Sequence, residues 1–113
     1  MSSFKYLLLF LLCALSISSP LLATEYSDQH KKLVQIFQSN EEPTAKDAVW
    51  TSQWTFKVGV INDGSNRRGY AQYVCAVLDD YGFKGKGVWV QIIDIVKLKQ
   101  SDQWVKLGET HCK

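Results

Sequence analysis

The stretch TFKVGVINDGSNRRGYAQYVCAVLDDY, residues 55–81, decides the fold because it contains two different periodicities. Residues 55–61 alternate between apolar and other side chains, which predicts a strand with one buried face. The side chains expected on that buried face are Phe56, Val58 and Val60.

The second half of this stretch repeats with a period near 3.6, which predicts a helix over residues 67–81. Ser65 or Asn66 can cap its start. Gly82 stands where a left-handed residue commonly ends a helix. The alternative interpretation makes this segment a strand in a cystatin-like antiparallel meander behind an N-terminal helix.

Downstream, residues 88–98 read VWVQIIDIVKL, which is apolar on both faces and predicts a central strand. A turn at 101–103 and a final antiparallel strand over 104–110 follow. Strand 55–61 and strand 88–98 should run parallel, joined by a right-handed crossover through the helix. The sequence therefore predicts a β-α-β-β unit with a three-stranded mixed sheet.

Upstream, Ser27 is a suitable N-cap for a helix running to about Gln38. Thr44 with Asp47 forms a weak capping box, which predicts a short helical turn ending near Trp50. The fold class is therefore α+β. We expect the N-terminal helix to cover the sheet surface that the crossover helix leaves exposed.

Residues 1–23 have the pattern of a cleaved signal peptide. Lys5 precedes an apolar run over 6–15, and a loosened stretch closes on the small residue Ala23. The run of about ten residues is shorter than the roughly twenty that span a membrane. We therefore expect cleavage near Ala23 and a single small globular domain over residues 24–113. This domain would be periplasmic or secreted, without stable membrane insertion.

The charge of the mature chain is nearly balanced. Lys5 is the only charged residue in the first 23, so twelve basic residues remain against eleven acidic ones. This balance argues against a general electrostatic attraction to nucleic acid or to anionic lipid. We expect no nucleic-acid partner.

Cleavage would remove Cys13 and leave Cys75 and Cys112, an even pair in an exported chain, which predicts a disulfide. The two residues lie 37 positions apart, and closing such a loop stabilises a chain by roughly 3 to 4 kcal/mol. The alternative, a pair of metal-bound thiolates, has only His111 beside it. We expect no metal and no cofactor.

The loop over residues 62–70 is the first candidate site. It joins the carboxyl end of a strand to the amino end of a helix, where free N–H groups and the helix dipole favour an anion. The candidate ligand residues are Asp63, Ser65, Asn66, Arg67 and Arg68. The alternative is a well-capped loop whose arginines are solvated or paired within the chain.

Asp94 and Trp89 are the second and third candidates. Asp94 interrupts an apolar run, so on a central strand its charge would need a partner, or it would take up a proton and become a candidate acid. Trp89, Ile93 and Ile95 lie on the strand face opposite Val88, and an uncovered apolar patch there would mark a partner surface.

The sequence contains no Ser-His-Asp arrangement and no HExxH motif. We therefore favour a small exported non-catalytic binding protein, of inhibitor, immunity or accessory-subunit type. Its partner would be another envelope or secreted protein, or a second copy of itself. The alternatives are a small-ligand module that holds an anion in the 62–70 loop and, less favoured, a small hydrolase using Asp94 and Asp63.

Overall fold

The computed structural model describes residues 26–113 and shows an α+β fold with three α-helices and one four-stranded mixed sheet. The predicted signal peptide, its cleavage after Ala23 and Cys13 lie outside the described residues. The elements, in chain order, are α1 (Asp28–Gln38), β1 (Ala45–Ser52), β2 (Thr55–Val60), α2 (Arg68–Leu78), a π-helical turn (Asp79–Phe83), β3 (Trp89–Asp94), α3 (Ile95–Ser101) and β4 (Lys106–His111).

The strands lie in the order β1-β2-β3-β4. β1 pairs antiparallel with β2, β2 pairs parallel with β3, and β3 pairs antiparallel with β4. The parallel pair is joined through α2, as the change of periodicity in residues 55–81 predicts. The helical form of α2 excludes the antiparallel meander for this segment.

The predicted helical turn ending near Trp50 is wrong, because these residues form β1. Ala48 and Trp50 are buried while Val49 between them is exposed, which is the period of a strand. The Asp47 carboxylate accepts a hydrogen bond from the N–H of Ala48, its immediate neighbour, rather than capping a helix. The sheet consequently has four strands, not the three expected.

The predicted strand over residues 88–98 is also too long. β3 ends at Asp94, whose carboxylate accepts hydrogen bonds from the N–H groups of Val96 and Lys97, each at 3.1 Å. This is an N-cap, and it starts α3 immediately after the strand. β4 then begins at Lys106, two residues later than predicted.

The start of α2 differs from the prediction, whereas its end agrees with it. Its N-cap position is Arg67, which makes no side-chain cap, rather than Ser65 or Asn66. Asn66 instead accepts a hydrogen bond from the N–H of Arg68 at 2.8 Å. Gly82 has φ 94°, so a left-handed residue ends the helical segment as predicted.

Both long helices pack on the same face of the sheet, which we call the closed face. Its strand residues belong to one core cluster with α1 and α2, and Phe37 of α1 lies edge-on to Phe56 at 5.5 Å between ring centroids. The closed-face residues with no exposed surface are Phe56, Val58, Val60, Val90 and Ile92. α1 covers the β1 side of this face, beside α2, and does not cover the opposite face.

Two contacts fix α2 to β4. The predicted disulfide is present, joining Cys75 of α2 to Cys112 just after β4, with 5.5 Å between the Cα atoms. At the other end of α2, a β-carbon added to Gly108 would overlap the backbone of Arg67 and Arg68. Only glycine allows this approach, so β4 and the start of α2 are in direct backbone contact.

Candidate functional site

The face of the sheet opposite α1 and α2 is the candidate site, and we call it the open face. Cross-strand pairing places Val49, Lys57, Gln91 and Glu109 in one row across the four strands. A second row contains Trp89 and, opposite it on β4, His111. Several of these side chains are at least partly exposed because neither long helix lies over them.

One end of the open face is covered by α3. Ile93 and Ile95 are only 1% and 6% exposed, so they do not form the exposed patch expected with Trp89. A β-carbon at Gly59 would lie 2.7 Å from the Cδ1 atom of Ile95, which shows how closely α3 approaches the sheet. Of the three residues predicted for this patch, the structure exposes only Trp89.

Trp89 is 44% exposed and is held in a defined orientation. Its ring stacks on the His111 imidazole with 4.3 Å between centroids and 5° between planes. The Nε2 atom of His111 lies 2.9 Å from the carbonyl oxygen of Gly87, which fixes the imidazole in turn. One face of the indole is therefore occupied by His111.

Trp104 is a second exposed indole, at 49%, and sequence analysis missed it because the residue was assigned to the final strand. The Lys57 ammonium lies 4.7 Å from its ring centroid, in a cation–π contact. Trp104 also borders a groove of about 230 Å³ on the open face. The apolar side chains lining this groove include Val49, Ile93, Ile95 and Leu98.

A chain of polar contacts crosses the β3–β4 side of the open face. The Gln91 amide donates a hydrogen bond to Glu109 at 2.7 Å. The Lys106 ammonium lies 3.4 Å from the same carboxylate. The face therefore combines exposed aromatic rings with polar groups that are already oriented.

The 62–70 loop brings only part of its predicted anion site together. Asp63 accepts hydrogen bonds from the N–H and hydroxyl of Ser65, at 2.9 and 2.5 Å. These hydrogen bonds, together with the nearby Arg67 guanidinium, lower the pKa of Asp63 below its ordinary value. Arg67 lies 3.4 Å from Asp63 and donates to the Ile61 carbonyl at 3.1 Å. The charge of Arg67 is thus already compensated within the chain, while Arg68 is exposed.

Asp94 is 3% exposed, and its carboxylate caps α3. Asp63 is occupied by Ser65 and Arg67. Each of the two carboxylates considered for a hydrolase therefore has a local structural contact.

A polar cluster beside α2 was also missed by sequence analysis. The Tyr73 hydroxyl donates to the largely buried Glu42 at 2.7 Å, and this hydrogen bond raises the pKa of Tyr73. The Tyr70 hydroxyl is buried without a hydrogen-bond partner among the described residues, and burial raises the pKa of Tyr70. Glu42 precedes β1 in a loop, so no periodic pattern marked it.

His30 is buried within α1 and has contacts at both ring nitrogens. Its Nδ1 atom lies 2.7 Å from the Ser27 hydroxyl, and its Nε2 atom lies 2.9 Å from the carbonyl oxygen of Gln53. The Trp50 indole donates to the His30 carbonyl at 2.9 Å. These contacts identify His30 as part of the packing between α1 and β1.

Among residues 26–113, no group of three or more His, Cys, Asp and Glu side chains has an arrangement that would hold a metal ion. No helix in the same range is long and apolar enough to cross a membrane. Comparisons of the chain with protein-family models, with curated proteins and with solved structures gave no match.

Proposed function

We propose that this chain is a small exported non-catalytic binding protein and that its binding surface is the open face of the sheet. The observation that carries the proposal is the pair of exposed indoles, Trp89 and Trp104, each braced by a neighbouring side chain. Rigid Trp side chains supply large contact areas at little cost in conformational entropy, and they are enriched among residues that dominate binding energy.

The partner that best fits this face is another protein of the envelope or the extracellular space. Exposed rings surrounded by polar groups such as Gln91 and Glu109 have the character of a protein interface, with apolar anchors and a polar rim. An inhibitor, an immunity protein or an accessory subunit would use such a face. A second copy of the chain is the alternative occupant, and sizing of the purified protein distinguishes it.

Export through residues 1–23 is the second part of the proposal. The Cys75–Cys112 disulfide supports it, since such bonds persist chiefly in oxidising compartments. The intact mass of the protein recovered from the producing cells is the test. We expect a chain that begins at Thr24, and recovery of the full-length chain from the cytoplasm would contradict export.

The binding surface is tested by affinity capture from the envelope fraction with three baits. We expect the wild-type chain to retain a defined protein and the Trp89→Ala, Trp104→Ala double variant to lose it. Trp54→Ala is the matched control, because Trp54 is equally exposed, at 44%, in the turn between β1 and β2. Equal capture by the double variant and the wild type would contradict the proposal.

Anion binding by the 62–70 loop ranks below this function. The Arg67 guanidinium already has Asp63 and the Ile61 carbonyl as partners. An anion would compete with the Asp63 carboxylate for the same positive charge. The open face needs no such rearrangement to present Trp89 and Trp104.

A further inference from the structure

We infer that the open face receives a carboxylate of the partner at Lys57, beside an apolar group that enters the groove next to Trp104. This inference rests on the proposed function and specifies the chemistry of the partner. Lys57 lies on β2, and its cross-strand neighbours are Val49 on one side and Gln91 on the other. Neither neighbour carries a charge, so cross-strand pairing gives the ammonium no ionic partner on the adjacent strands.

The acidic side chains on this face have other partners, and one of them, Asp47, lines the same groove as Lys57. Asp47 accepts hydrogen bonds from the Gln38 amide at 2.9 Å and from the N–H of Ala48 at 2.8 Å. Glu109 is contacted by the Lys106 ammonium and by the Gln91 amide. Lys106 is therefore paired with a carboxylate, whereas Lys57 has none among residues 26–113.

Lys57 is held in place nevertheless. It is only partly exposed, and its ammonium lies over the Trp104 ring. Within residues 26–113, no carboxylate oxygen lies within 4.0 Å of it. Part of the Lys57 side chain is shielded from water, and its ammonium has a π partner but no carboxylate among residues 26–113. A carboxylate arriving with a partner, in a contact that excludes water, would satisfy that charge.

The surroundings of Lys57 define what must accompany the carboxylate. The groove of about 230 Å³ beside it is lined mainly by apolar side chains, and Lys57 forms part of its wall. An apolar or aromatic side chain in this groove would lie against Trp104 while the adjacent carboxylate meets Lys57. The structure thus fits a protein segment that carries Asp, Glu or a terminal carboxylate next to a large apolar residue.

Two small probes that share an aromatic ring, one with a carboxylate and one with an uncharged amide, test the inference directly. N-acetyl-L-phenylalanine carries the aromatic group and the carboxylate, and N-acetyl-L-phenylalaninamide carries the same ring without the charge. In an NMR titration we expect both to shift the Trp104 indole N–H resonance and to leave that of Trp54 unchanged. A partly shielded ion pair predicts that the carboxylate binds about fivefold tighter.

Variants of one position separate charge from packing. Lys57→Met keeps the length of the side chain and should abolish the preference for the carboxylate, whereas Lys57→Arg should keep it. Lys86→Met is the control, because Lys86 is an exposed lysine in the turn before β3. Equal binding of the two probes to the wild type, absence of any Trp104 shift, or an unchanged preference in Lys57→Met each overturns the inference.

Failure of this inference can be distinguished from failure of the proposed function. Capture can require Trp89 and Trp104 and yet be the same with Lys57→Met as with the wild type. That result supports the open face as the binding surface and contradicts the pairing of Lys57 with a carboxylate. Capture that is insensitive to the two Trp substitutions removes the proposed function itself. Thermal melting of each variant establishes that the comparison is made between folded proteins.

Discussion

The two faces of the sheet are built from alternate residues of the same strands, but their side chains differ in exposure. On the closed face, side chains such as Phe56 and Val90 lie under α1 and α2 and have no exposed surface. On the open face, Val49, Trp89 and Trp104 retain between 42% and 49% exposure. A shift of one residue along a strand therefore separates a side chain that stabilises the fold from one that is available to a partner.

Adjacent residues of β2 give the largest expected contrast between the faces. Phe56→Ala should lower the free energy of unfolding by about 3 to 5 kcal/mol, because it leaves a cavity between Phe37 and the sheet. Lys57→Ala, one position away on the open face, should cost less than about 1 kcal/mol. Urea unfolding of both variants makes the measurement, and similar losses at the two positions would contradict the division into faces.

A domain of this size has a total stability of only about 5 to 10 kcal/mol, and the loss expected for Phe56→Ala is a large part of it. Phe56→Leu then serves as the milder version, with an expected loss of about 1 to 2 kcal/mol. Phe56→Leu should still lower the free energy of unfolding more than Lys57→Ala does.

The disulfide ties the helical layer on the closed face to the end of β4. Replacing Cys75 and Cys112 together by Ala should lower the free energy of unfolding by about 3 to 4 kcal/mol, since the bond closes a loop of 37 residues. Calorimetry of the oxidised wild type and the double variant is the measurement. An equal melting temperature would show that packing of α2 alone holds this edge.

The parts of the fold that were predictable are those in which local pattern and tertiary burial agree. The period of two over 55–61 and of 3.6 over 67–81 gave β2 and α2, and the parity of the cysteines gave the disulfide. β1 was missed because Thr44 and Asp47 form a local helix signal, which pairing with β2 overrides. A local capping pattern cannot register the presence of a neighbouring strand.

The candidate site was predictable in the same partial way. Alternation along β3 placed Trp89 on the open face, and that position is exposed. Ile93 and Ile95 share the face but are covered, because the Asp94 cap turns the chain into α3. Trp104 reaches the face only through this change of direction, so strand periodicity gave no signal for it.

Removing the cap that separates β3 from α3 should lower the free energy of unfolding by an intermediate amount. Asp94→Ala removes the acceptor for the Val96 and Lys97 N–H groups, and we expect a loss of about 1 to 2 kcal/mol. Asp94→Asn keeps an acceptor oxygen and should cost less. Thermal unfolding ranks the two, and an equal loss would show that charge, rather than capping, is the contribution of Asp94.

The contribution of Tyr70, on α2, to the free energy of unfolding should change mainly at alkaline pH. Burial raises its pKa above the ordinary value of 10.0, so the folded state favours the neutral phenol. Its contribution is therefore complete below pH 10 and is lost as the pH rises above that value. Tyr70→Phe should change stability at pH 7 by less than about 1 kcal/mol, because the buried hydroxyl has no partner within residues 26–113.

The alkaline measurement compares the wild type with Tyr70→Phe by urea unfolding across the pH range above neutrality. The variant should lose less stability than the wild type as the pH rises above 10. Tyr73, whose pKa is also raised, is present in both proteins. Parallel pH profiles would contradict a buried, neutral Tyr70.

Only a moderate effect on stability is expected where the effect on binding should be greatest. Trp89→Ala and Trp104→Ala should each cost about half as much as loss of a fully buried Trp, roughly 1.5 to 2.5 kcal/mol, because nearly half of each side chain is already in contact with water. Trp50→Ala is the matched closed-face change, at a side chain 6% exposed that packs on Phe56 and Phe83, and it should cost about 3 to 5 kcal/mol. If the three losses were alike, the exposed indoles would be structural, and a surface held ready for a partner would be the wrong description of the open face.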